Sequence, residues 1–129
     1  MIDIKQLVQT ALDTALYPLN IMTFYQHKLE ISPDINPNEY VVYSMSGKTG
    51  DFKADDVEIV RDSDIIVRYF YNSDYIKTNK SRVTEIENLI LSTMVSAKFV
   101  DNSGAFDLGD IDDNGYMATG FLFTFSEVI

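Results

Sequence analysis

The chain has no cysteine, and that absence removes disulfides, thiolate zinc sites and cysteine nucleophiles at once. It also lacks a long hydrophobic run: apolar stretches extend for only a few residues, far short of the roughly 20 needed to cross a bilayer. The opening "MIDIKQLVQTALDTALYPLN" shows no basic leader followed by an apolar block, so no secretory signal is expected and synthesis in a cytoplasm is. Bases are scarce. Twenty acids against ten bases give a net charge of −10, which repels phosphate and argues against a basic surface that grips nucleic acid. Histidine occurs once, as His27 in "FYQHKLE", with no second histidine for a metal and no serine or cysteine nucleophile motif; it reads as an ordinary, partly exposed side chain.

What is present is a folding composition. Of 129 residues, 46% are apolar and 12% aromatic, which suits one domain with a single core. A chain of that length buries roughly two thirds of its unfolded surface. Charge is unevenly spread: residues 99–129 hold Asp101, Asp107, Asp110, Asp112, Asp113 and Glu127 but no base, whereas "YIKTNKSR" carries Lys77, Lys80 and Arg82. Two readings stay open, complementary patches that orient contacts between copies and a solvated acidic surface.

Ile4, Leu7, Val8, Ala11, Leu12, Ala15 and Leu16 recur at steps of three and four, which predicts a helix with one buried face. Asp3 with Gln6 three residues on makes a box-like start, and Pro18 ends it. Residues 20–38, with "ISPDINPNEY", read as a loop leading into a strand over about residues 39–45. "SGKTGDFKADD" reads as a mobile loop, too long for a tight turn. In "DIIVRYFYN" Ile65, Val67, Tyr69 and Tyr71 alternate with Ile66, Arg68 and Phe70, a strand covered on one face and partly on the other, by a helix or a neighbouring subunit. A second helix is expected over about residues 81–97, with Val83, Ile86, Leu89, Ile90, Met94 and Ala97 as its stripe and Ser81 as cap. Asn114-Gly115 signals a two-residue hairpin turn, followed by a strand with Met117, Thr119, Phe121, Phe123 and Phe125 on one face. The order predicts one α+β domain over residues 1–129, a mainly antiparallel sheet with two helices packed on one face.

Candidate chemistry is thin. The run Asp110-x-Asp112-x-Asn114-Gly115 copies the first half of a calcium loop, but the twelfth position, which should be a bidentate glutamate, is Phe121, and the flanks read as strands. A hairpin tip with Asp110, Asp112 and Asp113 kept solvated by mutual repulsion explains it directly. "SGKTG" has a Gly-Lys-Thr core, yet a phosphate loop needs glycine five residues before Gly47, where Val42 stands. The pairs Asp55-Asp56 and Asp62/Asp64 lack the apolar cover that would raise a carboxyl pKa for acid–base work. No catalytic residue, cofactor or metal is therefore expected. Tyr40, Tyr43, Tyr69, Tyr71 and Tyr75 crowd the predicted strands, which suits a sheet rim and a subunit interface equally.

In order and spacing the chain resembles the small tail-terminator, or tail-to-head joining, proteins of long-tailed phages. The resemblance lies in "IDIKQLVQTAL", a Pro/Asn-rich lead into "NEYVVYSMSG", "DIIVRYFYNSDY" feeding "VTEIENLILSTM", and the closing aromatic strand "GYMATGFLFTFSEV". It covers most of the chain by pattern rather than by an invariant motif. "NIMTFYQHKLE" departs from it, standing where a shorter approach to the strand would be expected. The resemblance implies a non-catalytic virion protein at the head–tail junction. Such a protein forms a ring, usually hexameric, that caps the tail tube, meets the major tail tube protein on one face and the head-completion or connector protein on the other, and lets DNA pass through its lumen. Head-to-tail contacts in such a ring use two different patches of each copy. Candidate contact residues are Lys48, Asp51, Asp55, Asp56, Tyr69, Tyr71, Lys77, Lys80, Arg82, Asp110, Asp112 and Asp113. An acidic lumen built from Asp51, Asp55 and Asp56, along which DNA slides without sticking, is a further expectation. The rival reading is a small acidic inhibitor whose carboxylates imitate DNA phosphates; a calcium-dependent binding module on the Asp110–Asn114 turn is a third.

Overall fold

A computed structural model describes residues 3–25, 38–54, 57–108 and 115–128. Its architecture is α+β: a six-stranded, mostly antiparallel sheet with its helices on one side. Helix α1 (Ile4–Leu16) is capped as expected, Asp3 accepting from the Gln6 amide at 3.1 Å. The stripe buries Ile4, Val8, Leu12 and Leu16. A 3-10 turn over Tyr17–Leu19 takes Pro18 and stops at Asn20, whose φ of 66° is the left-handed conformation that asparagine tolerates.

The segment after Asn20 is not wholly loop. Strand β1 (Met22–Tyr25) lies parallel to β2 (Glu39–Ala54), with Thr23 opposite Val41 and Tyr25 opposite Tyr43. Four residues are too few to display an alternation that stands out beside a Pro/Asn-rich run, and only the sheet gives them a partner. The expected loop at residues 46–54 is likewise corrected, because β2 continues through it and pairs with β3 (Val57–Asn72). The two glycines that suggested a loop fall where the pairing slips, Gly47 between Met45 and Lys48 and Gly50 between Thr49 and Phe52. Glycine in a strand interior commonly marks such a bulge.

Two further differences are local. A short helix α2 (Ser73–Thr78) precedes α3 (Lys80–Ser96), so the described residues form three α-helices where two were expected. Asn72 caps α2 by accepting from the amides of Asp74 and Tyr75. Ser81 is not the cap of α3, which already begins one residue earlier behind Asn79. Strands β4 (Val100–Asp101) and β5 (Phe106–Asp107) both line β6 (Tyr116–Val128), whose long partner is β3. Asp107 faces Thr119, so residues 108–118 lie between the paired positions; Gly115 has φ 83°, and Asn114 lies outside the described residues. The sheet order is β1-β2-β3-β6-β4, with β5 also on β6.

The core sits between the helices and one face of this sheet. Val41, Tyr43, Ile65, Val67, Tyr69, Tyr71, Phe121, Phe123 and Phe125 meet the stripe of α1 and Ile86, Ile90 and Met94 of α3. Alternation along β3 and β6 is therefore read correctly: Ile65, Val67 and Tyr69 are sealed, while Ile66, Arg68 and Phe70 on the opposite face keep partial exposure. That opposite face has its own aromatic cluster, in which Tyr40 stacks on Phe70 at 4.8 Å and meets Tyr116 edge-on.

Candidate functional site

Three polar clusters fasten the helices to the sheet. The most buried centres on Glu39, the first residue of β2, which has no exposed surface. Its two carboxylate oxygens accept from Arg82 Nε at 3.1 and 3.2 Å, and one also accepts the Tyr69 hydroxyl. Arg82, in the first turn of α3, extends one more N–H to the Leu19 carbonyl at 3.2 Å. One guanidinium thereby joins the sheet, α3 and the turn after α1. Burial, and then the bond to Glu39, pushes the Tyr69 hydroxyl far above tyrosine's ordinary pKa, and the same carboxylate raises Arg82.

Around α1, Tyr43 donates to Gln9 Oε1 at 2.8 Å, and Gln9 Nε2 donates in turn to Asp13 and to the Thr23 carbonyl. Lys5 places its ammonium 3.9 Å over the Tyr25 ring, itself 5.2 Å from Tyr43. Burial, reinforced by Asp13, pushes Tyr43 up to about 12. Beside α3, Thr119 donates to Glu87 at 2.7 Å, and burial raises the Tyr71 hydroxyl. The Thr23 hydroxyl is buried with no hydrogen-bond partner among the described residues.

A depression of about 280 Å³ near the β4 edge is lined by Asp64, Ile65, Ile66, Asn102, Leu122 and Phe123. Asn102 donates to Thr124 at 2.6 Å and Thr124 donates to Asp64 at 3.0 Å, so its carboxylate is already held. Among the described residues no three metal-ligating side chains come together.

The expected contact residues scatter. Tyr69 and Tyr71 lie on the helix-covered face, 0% and 6% exposed. Arg82 turns its charge inward to Glu39. Tyr40 and Tyr43 are equally buried. Lys77 and Lys80 are exposed on α2 and at the start of α3, Lys77 lying 3.5 Å from Asp74. Lys48 and Asp51 belong to the far half of β2. Asp55, Asp56, Asp110, Asp112 and Asp113 lie outside the described residues, as does His27. Glu39 was not singled out from the sequence, although a signal existed: in "NEYVVYSM" it shares the inward face with Val41 and Tyr43, and an acid in that row needs a cation.

The helices and the sheet differ in reach. The 16 residues of β2 and of β3 span about 50 Å, whereas the 13 residues of α1 and 17 of α3 span about 20 and 25 Å. The backbone of β2, β3 and β6 stays paired to the level where Val60 faces both Phe52 and Val128. No known protein family matches the chain, and neither does any curated protein.

Proposed function

We propose that the chain is a structural virion protein that closes the tail tube of a long-tailed phage and joins it to the head-completion proteins as a ring of identical copies. The observation that carries this reading is the length of the sheet, in which β2, β3 and β6 stay paired to the level of Val60 while the helices are about half as long as β2 and β3. A long sheet offers surface to neighbouring copies, which a ring-forming subunit requires. The internal polar clusters support it by fastening the helices to that sheet, so that each copy presents a fixed shape. The net charge of −10 suits a wall past which DNA moves without binding.

On this reading the protein works by shape, with no bond made or broken, at the head–tail junction of a virion assembled in the host cytoplasm. The exposed bases Lys77 and Lys80 and the acid-rich final third are the complementary patches available for its neighbours. Light scattering of the purified chain at rising concentration, alone and with tail tube protein, is the direct test. Annular particles of uniform mass are expected. A chain that stays monomeric throughout and leaves tube length unregulated overturns the proposal.

A further inference from the structure

We infer that copies of this chain join knob into hollow, the Tyr17 side chain of one copy seated in the depression beside Ile66 and Leu122 of the next. The inference rests on the ring reading above and specifies the contact that closes the ring. Tyr17, Pro18 and Leu19 are three consecutive apolar residues left exposed at the turn after α1. Tyr17 is 65% exposed, more than any other tyrosine among the described residues. Such a run adds nothing to the core of its own chain and marks a contact surface. The turn is also held in place, because Arg82 donates to the Leu19 carbonyl at 3.2 Å and so ties it to the first turn of α3. An aromatic side chain on a fixed backbone loses little freedom on docking, which is the property of an interface anchor.

The hollow lies on the other side of the sheet. Ile66 faces Leu122 across the β3–β6 pair, on the face turned away from the helices, and Leu122 is 40% exposed. Asp64 and Asn102 bring acceptors to its rim, and Arg68 is the next residue of β3 on the same face. Its volume is about 280 Å³. A closed apolar cavity of about 150 Å³ admits benzene, so a tyrosine ring has room. Apolar walls with acceptors at one end and a guanidinium at the other suit a ring that carries a single hydroxyl donor.

The occupant is a second copy because the charges around the two patches are complementary. Lys80 is exposed and shares the first turn of α3 with Arg82, beside the knob. Asp64 and the exposed Asp101, next to Asn102, stand beside the hollow. Seating Tyr17 brings base toward acid, which favours the unlike patches over like with like. Tyr17 cannot fill the hollow of its own chain, since α1 packs on one face of the sheet and Leu122 opens on the other. The two patches are different surfaces of one chain, so the contact is heterologous and closes when the rotation divides a full circle.

The absence of native cysteine makes a clean test. One chain carries Pro18→Cys and another Val100→Cys; both positions are exposed, the first in the knob's turn and the second on β4 opposite Thr124. A short bismaleimide added to the assembled mixture should give covalent dimers, whereas either variant treated alone should stay monomeric. Tyr17→Ser added to the Pro18→Cys chain should remove the dimer. In the parent background Tyr17→Ser should raise the concentration needed for assembly by about tenfold or more, the effect of losing a central anchor. Because Tyr17 lies outside the core, that variant keeps the fold, which an unchanged circular dichroism spectrum establishes. Dimers from Val100→Cys alone would show two sheet faces meeting and overturn the knob contact. Assembled particles that give no mixed dimer and tolerate Tyr17→Ser overturn it as well and leave the ring intact. A parent chain that never assembles, alone or with tube protein, overturns both.

Discussion

Arg82 Nε lies 3.1 and 3.2 Å from the two oxygens of Glu39, a carboxylate with no exposed surface and one more donor, the Tyr69 hydroxyl. Removing the cation strands the anion. Arg82→Met should destabilise the fold by about 3 kcal/mol, the low end for breaking a buried pair, because the Arg82 side chain keeps 23% of its exposure and water screens its outer side. Urea unfolding measures it, and Glu39→Gln added to Arg82→Met should recover part of the loss. Additive penalties would deny the coupling.

Tyr43 supplies a pH dependence. Its pKa is raised by burial to about 12, above the ordinary 10 of the unfolded chain. The folded state holds that proton more tightly, so its contribution is full below pH 10 and disappears as pH rises through about 12. Stability followed by fluorescence from pH 9 to 12 should fall, and Tyr43→Phe should flatten the fall. A variant with the parent's slope would assign the effect elsewhere.

Gly120 faces Phe106 across the β5–β6 pair, and a Cβ built on it would lie 2.6 Å from the Phe106 ring. The ring occupies the space that a side chain would need. Gly120→Ala should displace Phe106 and loosen β5 from the edge of β6 at a cost of about 1 to 2 kcal/mol. Hydrogen exchange gives the localised readout: the Leu108 amide, bonded to the Ala118 carbonyl at 3.0 Å, should lose protection while α1 keeps it.

Lys98 ends α3 with φ 74°, and the Phe99 amide returns to the Met94 carbonyl at 3.0 Å. Glycine adopts that conformation without the side-chain penalty. Lys98→Gly should raise stability by about 0.5 to 1 kcal/mol, the relief of the left-handed strain less glycine's greater loss of chain freedom, read as a higher urea midpoint. A lower midpoint would show that the lysine stem stabilises more than its backbone strain costs.

What the residue order fixed was local. The helix at Ile4–Leu16 follows from a period of three and four with Asp3 before it, and each contributing interaction spans a few residues. The alternation from Ile65 to Tyr71 set which face of β3 turns inward, because successive side chains must point to opposite sides. Tyrosine at positions 69 and 71 left sheet rim and subunit interface equally open, since the type suits both; the fold places both side chains in the core cluster.

Pairing across the chain lay beyond local reading. The strand at Met22–Tyr25 exists because residues 40–43 lie beside it, and residues 46–54 extend because β3 answers them despite two glycines. Glu39 becomes an anchor only when residue 82, 43 positions away, delivers a guanidinium to it. Sequence determines propensity and facing, which are short-range; register and partner come from closing long loops around one core, and only the folded chain settles which closures coexist.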